Sequence, residues 1–189
     1  MPKYVAFLRA INVGGHIVKM DHLRQLFEAL GFSNVDTFIT SGNVIFDSMS
    51  KSTKTLERKV ESLLQETFGY RVATFIRSTS EVANIAEYKP FDDSELDADG
   101  NALYIAFTAD EPSTESKRML LTFINEVDDF KVYGREVYWL SRKNISESKF
   151  SGAQLERTLG MPATIRNANT VKRIAYKYAL FADKNTSHR

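Results

Sequence analysis

The chain of 189 residues contains no cysteine. That excludes a disulfide framework and thiol catalysis, and argues against a secreted disulfide scaffold. Long apolar runs are missing as well. The early one, Tyr4–Leu8, is too short for a signal-peptide core or a membrane-crossing helix, so no membrane partner is expected and a cytoplasmic protein is. There is almost no excess of charge, with a formal net charge of +1 at pH 7. Motifs that would name a reaction are also lacking. No G-x-G-x-x-G or G-x-x-x-x-G-K-[ST] phosphate loop, no G-x-S-x-G nucleophile elbow and no ribonucleoprotein signature occurs.

What is present describes a globular protein. Apolar residues make up 43% and charged residues 26%, and the length fits one ordinary domain or two small ones. The charge is uneven along the chain. Residues 92–101, DDSELDADGN, carry five acids and no base, whereas 142–189 carry ten bases against three acids. A solvated helix face is the ordinary reading of the basic quarter; an anionic partner is the alternative.

The chain is written twice. Tyr4-Val5-Ala6-Phe7 returns as Tyr104-Ile105-Ala106-Phe107, an offset of 100. Asp36-Thr37-Phe38 with Gly42 returns as Asp128-Asp129-Phe130 with Gly134, an offset of 92. Ile76-Arg77 with Val82, Ile85 and Ala86 returns as Ile165-Arg166 with Val171, Ile174 and Ala175, an offset of 89. Three matches in one order indicate duplication and fusion. The predicted halves are 1–91 and 102–182, joined by the acidic connector 92–101 and followed by a frayed tail, 183–189.

Each half shows the same order of elements. In the first, the patterns predict strands at 3–9, 35–40, 44–47 and 71–77, helices at 20–30 and 55–68, and an extra helix at 80–88 capped by Ser80. In the second, strands fall at 102–108, 130–133, 137–141 and 163–166. Helices fall at 113–127, with Leu120, Phe123, Ile124 and Val127 inward, and at 151–159 behind a Ser151/Gln154 capping box. An extra helix at 170–181 is capped by Asn169. Strand–helix–strand–strand–helix–strand is the ferredoxin-like βαββαβ unit. The expected fold is thus α+β, a tandem duplication of that unit with an extra helix after each copy.

That topology bears on one loop. If the first strand runs up, its connection to the helix and the later hairpin lie at the same end. Arg9, Asn12, Gly14, Gly15 and His16 of LRAINVGGH then meet Ser41 and Asn43 of SGN. Adjacent glycines let backbone amides approach a ligand, a helix N-terminus favours an anion, and an arginine can grip phosphate or carboxylate in a bidentate fork. The corresponding second-half loop, TADEPST, lacks the arginine, the glycines and the histidine. A plain strand-to-helix turn is the competing reading. Arg166 and Asn167 are further candidates, because capping does not account for them.

Other constellations are weaker. His16, His22 and Asp21 straddle a loop and a helix, so no metal is expected. The 93–100 stretch opens like a calcium loop but lacks the closing glutamate. Tyr4, Phe7, Tyr138 and Trp139 could stack bases if the sheets were exposed, although strand aromatics are usually core.

The runs YVAFLRAINVGGHIVKM, LRQLFEALGF, TFITSGNVIF and LERTLG with ATIRNANTVKR resemble a mostly bacterial family catalogued as a domain of unknown function, number sixteen ninety-seven. The resemblance spans nearly the whole chain. Its pattern, L-R-G-I-N-V-G-G, then S-G-N-V, then T-x-R-N-x-x-T-x-x-K, lands on Leu8–Gly15, Ser41–Val44 and Thr164–Lys172. The resemblance implies a duplicated ferredoxin-like architecture and supplies no activity or cofactor. Ala10 stands where that pattern has glycine, so a positive φ is not expected there. The leading expectation is binding of a small anionic ligand, a nucleotide or phosphorylated metabolite, at the LRAINVGGH/SGN end. The alternatives are a nucleic-acid module using the basic C-terminal quarter and a protein-interaction scaffold. Catalysis is left open, with His16 the nearby group suited to proton transfer at neutral pH.

Overall fold

The computed structural model describes residues 1–12, 15, 17–143 and 148–180. Gly14, His16 and the tail at 183–189 therefore lie outside the described residues. The chain divides into two compact units, residues 1–83 with 174–189, and residues 84–173.

The first unit holds β1 (Lys3–Leu8), α1 (Met20–Ala29), β2 (Ser33–Thr37), β3 (Asn43–Asp47), α2 (Thr53–Phe68) and β4 (Thr74–Ser78). Its four strands form an antiparallel sheet in the order β2-β3-β1-β4. Tyr4, Ala6 and Leu8 of β1 point with Phe46 and Ile76 into a core closed by Leu23, Phe27, Leu56, Val60 and Leu64 of the two helices. The period of two on the strands and of three to four on the helices makes this packing possible. Each such fully buried Leu or Phe contributes about 1.5–3 kcal/mol relative to exposure. α2 starts at Ser52, whose hydroxyl accepts from the Thr55 amide, and stops at Gly69 with φ 77°.

The second unit repeats the plan with β5 (Ala102–Thr108), α5 (Thr114–Leu121), β6 (Asp128–Tyr133), β7 (Glu136–Ser141), α6 (Gly152–Leu159) and β8 (Ala163–Asn167), in the order β6-β7-β5-β8. Trp139 and Phe130 anchor its core, and the Trp139 indole donates to buried Asp128 at 2.8 Å. The architecture is α+β, two ferredoxin-like units each built on an antiparallel four-stranded sheet.

Strand register tests the internal repeat residue by residue. Tyr4 pairs with Ser78 and Val5 with Arg77; Tyr104 pairs with Asn167 and Ile105 with Arg166. The offsets of 100 and 89 are thus structural equivalences. The offset of 92 is not. Asp36 lies opposite Ile45, whose counterpart Tyr138 lies opposite Lys131, so Asp36 matches Lys131 rather than Asp128. The reason is a difference in hairpin length. β6 and β7 are joined by Gly134 and Arg135 alone, with Gly134 at φ 60°, whereas β2 and β3 are joined by the five residues 38–42.

Other expectations are corrected at element ends. The extra helix of the first half, α3 (Thr79–Glu87), is capped by Ser78 rather than Ser80. The Glu81 amide donates to the Ser78 hydroxyl at 3.2 Å, and the Ser78 amide donates to the Glu81 carboxylate at 2.7 Å. This reciprocal pair is a capping box. Its counterpart in the second half, α7 (Ala168–Ala175), contains Asn169 and is capped by Asn167, which accepts from the Asn169 amide at 2.8 Å. α7 continues as a π-helical turn, Tyr176–Leu180.

α5 ends at Leu121, well short of residue 127, and Ile124 is exposed. There the Thr122 hydroxyl donates to the Met119 carbonyl, and the Asn125 side chain takes the Val127 and Asp128 amides, in competition with the helical ladder. The acidic connector is ordered too. It contains α4 (Asp93–Leu96), and Glu95 pairs with Arg142 at 2.7 Å.

The units do not follow the repeat boundary. α3 and α7 each begin in one unit and end in the other, so each unit is completed by the end of the other half's extra helix.

Candidate functional site

At the C-terminal end of β1 the chain is held by both neighbouring strands' connections. The Leu8 amide donates to the Gly42 carbonyl and the Arg9 amide to the Ala73 carbonyl, both at 2.9 Å. Ile11 is buried, and its Cγ2 lies 2.8 Å from where a Cβ on Gly42 would stand. Gly42 is therefore required twice, by its φ of 74° and by this close approach.

Asn12 then ties the loop in two directions. Its Nδ2 donates to the Thr40 carbonyl at 3.1 Å, and its Oδ1 accepts from the Val18 amide at 2.7 Å. Asn43, fully buried, donates to the Phe38 carbonyl at 3.0 Å and to the Ser41 hydroxyl at 2.9 Å. The predicted convergence of Arg9 and Asn12 with Ser41 and Asn43 is present in the first unit. Gly15, at φ 84°, is exposed with nothing within 4 Å of a Cβ position.

Two non-glycine residues here adopt the left-handed region, Ala10 at φ 55° and Ile39 at φ 52°. The sequence expectation for Ala10 is overturned: the turn needs a positive φ, and alanine bears its cost. For β-branched Ile39 the conformation is a clear outlier. One strained residue lies in each of the two facing segments.

The second unit has no such loop. Thr108 closes the equivalent position itself, its amide donating to the Arg135 carbonyl at 3.1 Å and its hydroxyl to the Asp110 and Arg135 carbonyls. Neither the short turn nor the segment after β5 holds a non-glycine residue at positive φ.

Arg166 and Asn167 belong to the second unit and are equivalent to Arg77 and Ser78. Both arginines are buried, and each donates from Nη1 to the carbonyl of the preceding residue at 3.0 Å. Arg166 also donates to the Thr164 hydroxyl, and burial pushes its guanidinium down to about 10, so it stays charged at neutral pH. Asn167 serves as the helix cap described above. His22 is exposed and edges onto the Phe68 ring; among the described residues no cluster of three metal-capable side chains occurs.

Sequence reasoning missed a polar cluster beside this hairpin. Tyr178 and Lys177, from the π-helical turn, both donate to Asp36 of β2, and the Tyr178 ring meets Phe38 edge-on. Burial raises the Asp36 carboxyl, but hydrogen bonds from Tyr178 and Lys177 outweigh it and leave the group below its ordinary value. Burial, and then the bond to Asp36, raise the Tyr178 phenol. A separation of about 140 residues hides this cluster from any local pattern.

The family model described as a protein of unknown function, DUF1697, matches residues 1–138. The chain belongs to the DUF1697 family. That match covers the whole loop-and-hairpin end of the first unit. This DUF1697 chain is also similar to a solved structure, a conserved bacterial protein from Streptococcus pneumoniae. The two are 26% identical with a TM-score of 0.68, over 93% of this chain and 97% of that one. No curated protein matches the chain. Among the described residues, no helix is long and apolar enough to cross a membrane.

Proposed function

We propose that this is a cytoplasmic protein that binds a small anionic ligand, a nucleotide or phosphorylated metabolite, where Arg9–Asn12 meet Ser41–Asn43. One observation carries this reading: the first unit spends a longer hairpin, a glycine-dependent contact and two left-handed residues on this end, and the second unit folds without them. Backbone strain confined to one of two equivalent ends is what a binding loop requires and a connecting turn does not. Arg9 supplies the charge, Ser41 a hydroxyl at the exposed tip, and exposed Gly15 a backbone amide. Asn12 and Asn43, whose amides are used within the loop, hold its shape. Gly14 and His16 enter on the sequence alone. Arg166 and Asn167 serve the fold of the second unit.

The nucleic-acid reading loses its stacking surface, because Tyr4, Phe7, Tyr138 and Trp139 are all buried. The test is thermal denaturation with inorganic pyrophosphate, nucleoside mono- and triphosphates and sugar phosphates. A ligand at 100 times its Kd adds about 2.7 kcal/mol. That gain should fall sharply in Arg9→Ala and Ser41→Ala; a gain undiminished in both variants places the ligand elsewhere.

A further inference from the structure

The second unit contains a cleft of about 650 Å³ whose described lining residues all belong to that unit. Part of its lining is aliphatic. Leu103 and Ile105 of β5 lie on the sheet face turned away from the α5–α6 core, and Ile85 of α3 joins them. Ile85 and Ile105 are buried and Leu103 is half-buried. The rim is charged, and its signs are sorted by element. Glu87 at the end of α3 and Asp97 just after α4 bring two carboxylates, and α7 brings Lys172 one turn after its capped start. The remaining charges cancel locally, because Lys89 is held by Asp93 at 2.8 Å. Among the described residues Lys172 has no carboxylate within ion-pairing distance.

Three features together select a ligand class. The half-buried Leu96 and Leu103 side chains take a branched hydrocarbon, the acidic segment from α3 to α4 takes an ammonium group, and Lys172 in the last turn of α7 takes a carboxylate. The α3 C-terminus adds the negative end of its own helix dipole on the ammonium side. A phosphorylated ligand fits poorly, because the lining holds three acids against two bases. We infer that this cleft binds a small zwitterion with an aliphatic side chain, an α-amino acid of the leucine or isoleucine kind. The inference is independent of the anion site in the first unit.

The experiment is a titration of the full-length ¹⁵N-labelled chain with L-leucine. Three analogues accompany it: leucinamide, which lacks the carboxylate, isocaproate, which lacks the amine, and glycine, which lacks the side chain. Saturable shifts are expected at Asn101–Ile105 and Ala168–Lys172, with each analogue weaker by about tenfold or more, through loss of a charge-assisted partner in leucinamide and isocaproate and of aliphatic burial in glycine. Lys172→Ala, at an exposed position where folding is preserved, should weaken leucine about tenfold while Arg9→Ala leaves it unchanged. The inference is overturned if leucine gives no saturable shift up to about 10 mM, since that limit excludes even weak binding. Equal binding of leucinamide and leucine, or shifts confined to residues 9–12 and 40–43, overturns it too.

Discussion

At the scale of single residues the candidate site rests on Gly42. A Cβ there meets Ile11 at 2.8 Å and Leu8 at 3.2 Å, and φ is 74°. Gly42→Ala should cost more than about 2 kcal/mol, the sum of left-handed strain and overpacking, measured by chemical denaturation. Gly15→Ala, with no neighbour to meet, should cost only the strain. Asp36 and Tyr178 give a pH dependence of defined sign. The folded Asp36 pKa is lowered, so its contribution is present above the unfolded value near about 4 and lost as pH falls through the folded value. The folded Tyr178 pKa is raised, so its contribution is present below the unfolded value near about 10 and lost as pH rises through the folded one. Hydrogen exchange at residues 176–180 should therefore be slowest between those limits relative to the intrinsic rate. Asp36→Asn should abolish the acid-side loss.

At the scale of elements, a shared device seals an edge strand in each unit. β4 and β8 are the outer strands beside β1 and β5, and their outward amides would otherwise be open to pairing. In the first unit Glu57 and Glu61 of α2 accept from the Ile76 and Thr74 amides at 2.8 and 2.9 Å. In the second, Glu156 of α6 accepts from the Ala163 amide at 2.9 Å. Glu57 is buried, so Glu57→Ala should destabilise by about 1.5–3 kcal/mol, the range for a hydrogen bond to a charged group, while Glu57→Gln keeps an acceptor and loses less. Denaturant titration of the three proteins separates these outcomes. The elements were largely legible in the sequence, because α1, α2 and α6 announce themselves through stripes and caps. Ends decided by side-chain competition were not. The stop of α5 at Leu121 depends on Thr122 and Asn125, and the caps at Ser78 and Asn167 lie on residues that also finish a strand. The convergence of Arg9 with Ser41 followed from topology, but the strain at Ala10 and Ile39 had no local signature.

At the scale of the whole molecule, duplication gives two units with the same register and different ends. The compact units do not end at the repeat boundary. Residues 174–180 complete the first unit, and residues 84–91 belong to the second. A fragment of residues 1–91 lacks Lys177 and Tyr178, the partners of Asp36 and Phe38, and should be poorly folded alone by circular dichroism. Mixing it with a fragment of residues 92–189 should restore the native spectrum; independent folding of 1–91 to full stability would contradict this. The divergence of the two ends is the central point, since one duplicated frame keeps a two-residue turn and the other builds a strained loop. The most direct measurement is an NMR titration of the full chain with the phosphorylated probe that stabilises it most. Saturable shifts should appear at Arg9–Asn12 and Thr40–Asn43, with none at Thr108–Asp110 and Tyr133–Glu136, and should disappear in Arg9→Ala. Shifts that spare residues 9–12 and 40–43, or that persist unchanged in Arg9→Ala, would contradict the assignment.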